Sequence, residues 1–175
     1  VFRKAPVKDL QIRMGRPVSI STLSDPWVVR FKTGNNSLIQ KDFSQLISWS
    51  THPDSLIRFF SGTAIYQTKY HFSGTSKPSF AEMRITAIHD IATVRINGVN
   101  CGTLWTPPYQ LDITKALKPG ENNIEIEVSN TWRNRLIGDE LNPASRSTWY
   151  NSPYSLKNKP LLPAGITGEV KILIR

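Results

Sequence analysis

The densest set of groups able to do chemistry is Asn130-Thr131-Trp132-Arg133-Asn134-Arg135, followed by Asp139. An indole offers a flat apolar face, while amide, guanidinium and carboxylate groups make planar, directional hydrogen bonds. That combination suits a pyranose ring, which stacks through C–H patches and pairs through its hydroxyls. Trp105 and Tyr109 flank Thr106-Pro107-Pro108 and add two aromatics at a rigid bend. Trp149 and Tyr150 follow in the same irregular stretch. A purely structural reading stands beside this one: Trp105 and Trp132 plug the ends of a sandwich, and Arg135 pairs with Asp139 as a strut.

Bond-breaking chemistry has less support. Glycoside hydrolysis needs two carboxyl groups about 5–5.5 Å or about 6.5–9.5 Å apart. Near the aromatic stretch only Asp139 and Glu140 qualify, with Asp112 in the preceding loop. Neighbours on an extended segment point to opposite sides, and Asp112 reads as a helix cap. No residue is therefore assigned a catalytic role, and the isolated chain is not expected to be an enzyme. His52, His71 and His89 lack metal-ligand spacing, so no cofactor is expected, and the sequence carries no signal for calcium. Neither a G-x-S-x-G elbow nor a G-x-x-x-x-G-K-[ST] or G-x-G-x-x-G loop occurs. The single cysteine, Cys101, follows an Asn97-Gly98 turn and reads as a packed, inert side chain.

The elements that must hold these groups are strands. Ala64, Tyr66, Tyr70 and Phe72 share one face, with Gln67, Lys69 and His71 on the other. Ile124, Ile126 and Val128 alternate with Glu125, Glu127 and Ser129, as Val170, Ile172 and Ile174 do with Lys171 and Arg175. Further strands are expected at Trp27–Lys32, Glu82–Ile88 and Thr93–Asn97, with a hairpin at Asn97-Gly98. Helical signals reduce to one capped turn over Asp112–Leu117 and a short helix over Phe43–Trp49. Residues 131–165 fit no strand spacing and read as a long functional loop. The pattern describes an all-β chain, an antiparallel β-sandwich.

Bulk properties agree. A chain of 175 residues is one domain's length and needs no disulfide to bury a core. No apolar run reaches the length of a membrane span. The net charge of +9 is partly concentrated in residues 1–17, where Arg3, Lys4, Lys8, Arg13 and Arg16 face only Asp9. That segment reads as a basic linker or arm ahead of a sandwich over 18–175. No basic run interleaved with aromatics occurs, so nucleic acid is not an expected partner, whereas an acidic polysaccharide is a candidate.

Several segments, taken in order, resemble a known family. They are Phe60-Ser61-Gly62-Thr63-Ala64-Ile65-Tyr66, Val94-Arg95-Ile96-Asn97-Gly98 and Gly102-Thr103-Leu104-Trp105-Thr106-Pro107-Pro108-Tyr109. Asn130 to Asp139 and Leu162-Pro163-Ala164-Gly165-Ile166-Thr167-Gly168 follow. This order resembles the carboxy-terminal β-sandwich of glycoside hydrolase family 106, the α-L-rhamnosidase-like enzymes. More distantly it is similar to the sugar-binding jelly roll of glycoside hydrolase family 2. The resemblance implies a galactose-binding-domain-like jelly roll that packs on the catalytic domain of a larger glycoside hydrolase. It implies a secreted or periplasmic location, and carbohydrate contacts from Trp105, Tyr109, Trp132, Asn134, Arg135, Asp139, Trp149 and Tyr150. An independent carbohydrate-binding module and a purely structural domain are the alternatives.

Overall fold

The computed structural model of the chain describes residues 19–24, 26–33, 38–150 and 154–175. The basic arm expected over 1–17 lies outside them. Among the described residues, ten strands form two antiparallel sheets. In chain order they are β1 (Ser19–Thr22), β2 (Trp27–Lys32), β3 (Leu38–Phe43), β4 (Thr63–Phe72) and β5 (Ala81–His89). The rest are β6 (Ile91–Ile96), β7 (Val99–Leu104), β8 (Gln110–Asp112), β9 (Gly120–Ser129) and β10 (Gly165–Ile174). One sheet runs β1-β10-β5-β8, the other β3-β2-β4-β9-β6-β7. The expected all-β, jelly-roll-type sandwich is the fold found.

Alternation explains why the sheets face each other. β2 buries Trp27, Val29 and Phe31, β9 buries Ile124, Ile126 and Val128, and β10 buries Val170 and Ile172. Each fully buried side chain of this kind contributes roughly 1.5–3 kcal/mol. The Asn97-Gly98 turn joins β6 to β7 with φ of 52° and 80°, as a two-residue hairpin requires. At Asp112 the carboxylate accepts the N–H of Thr114 (2.8 Å), which caps the expected turn.

One end of the sandwich is filled by rings. Trp49 stacks on Tyr66, and Phe31 meets Trp49 and Phe60 edge-on at 5.2 and 5.0 Å. The Trp49 Nε1–H donates to the Tyr66 hydroxyl at 2.5 Å, and that oxygen also accepts the N–H of Ile166 at 3.2 Å. Burial raises the Tyr66 phenol above its ordinary value, so it stays protonated and available to both partners.

Two local expectations change. The helix expected over Phe43–Trp49 is absent: β3 continues to Phe43, Leu46 bridges Gly168, and between β3 and β4 the helical turns lie at Trp49–Thr51 and in α1 (Ser55–Arg58). Phe43, Leu46 and Trp49 are all buried, and their three-residue spacing imitates a helical stripe. Conversely, the stretch read as irregular contains α2 (Arg133–Leu141). Its buried residues are Asn134, Ile137, Gly138 and Asp139. That is helical spacing carried mostly by small and polar residues, which hydrophobic periodicity does not register.

Candidate functional site

Strand register brings the aromatic loops to one rim. Ala92 pairs with Leu104 on one side and Val128 on the other; Val128 pairs with Ala64, Ala64 with Phe31, and Phe31 with Ile39. This row crosses all six strands. The residues just beyond it are Trp105, Asp90, Asn130–Trp132, Ser61 and Thr33. Trp105 and Trp132 thus share an end of the sandwich although 27 positions separate them in sequence.

The connection from β9 into α2 is tied down at several points. The Asn130 side chain accepts the N–H of Gly62 (2.9 Å) and donates to the carbonyl of Phe60 (3.0 Å). Ser61 donates its hydroxyl to the Thr131 carbonyl (2.7 Å), and Asp90 accepts the Thr131 N–H (3.1 Å). Helix α2 lies close to the α1–β4 link: a Cβ added at Gly138 would sit 2.7 Å from the Phe59 Cβ. Glycine is required there by proximity.

The loop after α2 is pinned by two carboxylates. Asp139 is 2% exposed and accepts the N–H and hydroxyl of Thr148 at 2.9 and 2.5 Å, while Arg135 pairs with its other oxygen. Burial alone would raise this carboxyl, but the bonds from Thr148 and Arg135 outweigh it and hold it below the usual range. Glu140 accepts from the Ser155 hydroxyl (2.6 Å), the Tyr150 hydroxyl, and the backbone N–H groups of Leu156 and Lys157. These donors, Ser155 and Tyr150 foremost, pull its carboxyl down to about 2. Both acids sit at the carboxy-terminal end of α2, where the helix dipole disfavours negative charge. The loop donors are what stabilise them there.

Trp132, Arg135, Trp149 and Tyr150 gather around two depressions. A groove of about 550 Å³ is lined by Ile39, Leu56, Phe60, Ser61, Trp132 and Arg135, closed by Ser147 and Thr148. A second, of about 450 Å³, lies between Trp132, Leu136, Trp149 and Tyr150 and shares Ser147 and Thr148 with the first. Trp132 and Trp105 are 64% and 72% exposed, so neither plugs the sandwich, and Trp149 is 92% exposed. Arg146 places its guanidinium 5.2 Å from the Trp149 ring centroid and 5.6 Å from that of Tyr150.

The remaining candidates lie elsewhere. Asn134 is buried behind the groove, its amide exchanging two 2.8 Å bonds with the backbone of Leu162. Trp105 is exposed on the same rim but lines neither depression. Tyr109 packs partly against the core, and its carbonyl accepts from Ile85. Neither Ser61 nor Arg146 stands out in the sequence: Ser61 is brought to Thr131 and Arg135 by pairing over 70 and 74 positions, whereas Arg146 reaches Trp149 and Tyr150 through the local fold of its own loop.

Another depression, of about 510 Å³, lies on the outer face of the six-stranded sheet. Its polar and charged groups already pair with one another or with close neighbours: Gln67 donates to Glu125, and Arg95 lies 3.6 and 3.4 Å from Glu125 and Glu127. It offers no aromatic face. Among the described residues, no three His, Cys, Asp or Glu side chains come together as a metal site. Cys101 is half-buried, and burial raises its thiol.

Comparison with known proteins identifies the family and the fold. Residues 36–159 fit the family model described as glycosyl hydrolase 2 galactose-binding domain-like. The chain is similar to a rhamnosidase from Novosphingobium sp. PP1Y at 35% identity and a TM-score of 0.86, covering 99% of this chain and 17% of that one. It is 34% identical over 176 positions to a Formosa agariphila protein named "Putative beta-glucuronidase", covering 86% of this chain and 15% of that one. Its fold is also that of a β-D-glucuronidase from Dictyoglomus thermophilum, with a TM-score of 0.63 at 19% identity over 91% of this chain and 28% of that one. The chain therefore spans only 15–17% of the length of the first two.

Proposed function

The chain belongs to the glycosyl hydrolase 2 galactose-binding domain-like family, and we propose that it serves a larger glycoside hydrolase as a non-catalytic sandwich. In this reading it packs on the catalytic domain and lends its aromatic rim to the saccharide site. One observation carries the proposal: Trp132, largely exposed, overlooks a groove that also holds Ser61 and Arg135. An indole face beside hydroxyl and guanidinium groups is the chemistry a sugar ring needs.

The roles then divide by burial. Trp132, Arg135, Trp149 and Tyr150 meet the sugar, with Trp105 extending the rim, while Tyr109 contributes packing against the core. Asn134 and Asp139 act from behind by holding the backbone that carries them. Asp139 and Glu140 are already engaged as loop acceptors, which leaves bond cleavage to acids of the catalytic domain. The names of the two relatives supply the candidate sugars, rhamnose and glucuronic acid, and the net charge of +9 favours a polymer containing the latter. A polysaccharide of that kind carries with it a secreted or periplasmic location.

The test is Trp132→Ala in the parent enzyme, assayed on an aryl rhamnoside and an aryl glucuronide. A several-fold rise in KM with kcat retained is expected. Unchanged kinetics would leave the purely structural reading, which the Arg135–Asp139 pair favours. Enzyme-like turnover by the isolated chain would overturn the proposal. An independent binding module is favoured by the exposure of Trp149, and would combine unchanged kinetics of the Trp132→Ala enzyme with retardation of the isolated chain in a polysaccharide gel.

A further inference from the structure

We infer that the rim takes a run of at least two sugar rings, lying across Trp132 with one ring in each depression. The inference rests on the saccharide reading above and adds its length. Its basis is a shared wall: the 550 and 450 Å³ depressions have Trp132, Ser147 and Thr148 in common. Each alone is of a size that suits a small ligand. A ligand that leaves one enters the other.

The two halves differ in chemistry. The first has an apolar floor of Ile39, Leu56 and Phe60, with Ser61 and Arg135 as the polar groups that orient a ring. The second is dominated by Leu136, Trp149 and Tyr150, and so holds a ring by stacking with little discrimination between sugars. A repeating chain meets both demands: one ring is read by hydrogen bonds and its neighbour is gripped by its faces.

The second platform is held in place. Arg146 donates to the Thr148 carbonyl (2.6 Å) and the Tyr150 carbonyl (3.2 Å), and its guanidinium covers Trp149 at 5.2 Å. One face of the indole is backed by a cation while the side chain stays 92% exposed. Thr148, between the two depressions, is in turn fixed by Asp139. A ring that is fixed before binding loses less conformational freedom when it stacks.

The test is a fluorescence titration of the 175-residue chain with rhamnose, glucuronic acid, and alternating rhamnose–uronic acid di- and tetrasaccharides. The expected result is that the tetrasaccharide binds about tenfold tighter than either single ring. Trp149→Ala should bring that ratio toward one, and Trp132→Ala should weaken every ligand. Both side chains are exposed, and an unchanged unfolding midpoint would show that the fold is retained. Equal affinity for single rings and tetrasaccharide would overturn the two-ring inference and leave the sugar reading standing. No response to any saccharide at millimolar concentration would overturn both, and would mark the rim as a packing surface.

Discussion

Asp139 accepts both the backbone N–H and the hydroxyl of Thr148, at 2.9 and 2.5 Å. The carboxylate thereby fixes the residue that separates the two depressions, nine positions along the chain. Asp139→Ala would strand two donors and leave Arg135 without its partner. A loss of about 3 kcal/mol is expected in urea unfolding. A variant as stable as the wild type would show that the loop holds itself.

Acid should loosen the same loop. The Glu140 carboxyl stands at about 2 against an ordinary 4.5, and Asp139 is also lowered. Groups whose folded value is depressed stabilise fully above their unfolded value and lose that contribution as pH falls through the folded one. Unfolding midpoints should therefore decline between pH 4.5 and pH 2. In Glu140→Gln the decline should be shallower, and equal slopes would sink the assignment.

Gly165 has φ of +85°, and an added Cβ would lie 2.3 Å from Trp49 Nε1 and 2.5 Å from the Tyr66 hydroxyl. Gly98 has φ of +80° with nothing within 4 Å. Gly98→Ala should cost about 1–2 kcal/mol from the backbone alone. Gly165→Ala should cost clearly more, because the ring pair must also separate. Denaturant titrations of the two variants check the ranking.

Tyr66→Phe would orphan the Trp49 indole N–H and the Ile166 N–H inside the core. A loss of about 1–3 kcal/mol is expected, with a change in Trp49 emission. Saccharide binding at the rim should be unaffected, since neither Tyr66 nor Trp49 lines a depression there.

Trp105→Ala separates the rim from its grooves. The side chain is 72% exposed, so stability should change by no more than about 0.5 kcal/mol. Because Trp105 lines neither depression, its loss should weaken saccharide binding less than that of Trp132. Calorimetry on the two variants compares them; an equal or larger effect at Trp105 would move the site along the rim.

Alternation was enough to identify β4, β9 and β10 and to assign their inward faces, while β2 was expected as a strand with no face assigned. A period of two is written locally, residue by residue, and burial only confirms it. The Asn97-Gly98 turn and the Asp112 cap were legible for the same reason, being set by φ preference and by one short side chain. Helix α2 was not, because three of its four buried residues, Asn134, Gly138 and Asp139, are small or polar and meet Leu162, Phe59 and Thr148 from distant or later segments. Nothing local marks an asparagine as an interior residue.

The candidate site divides along the same line. Sequence alone determined which groups exist: the indoles, the arginines and the acids, in an order that marks the family. Only the tertiary structure decided which of them face solvent. It exposed Trp132 and Trp149, buried Asn134 and Asp139 as supports, and brought Ser61 from the far side of β4 to meet Arg135. The reason is physical. Hydrogen-bond register between distant strands sets which loops share a rim, and that register is a property of paired backbones rather than of any one segment.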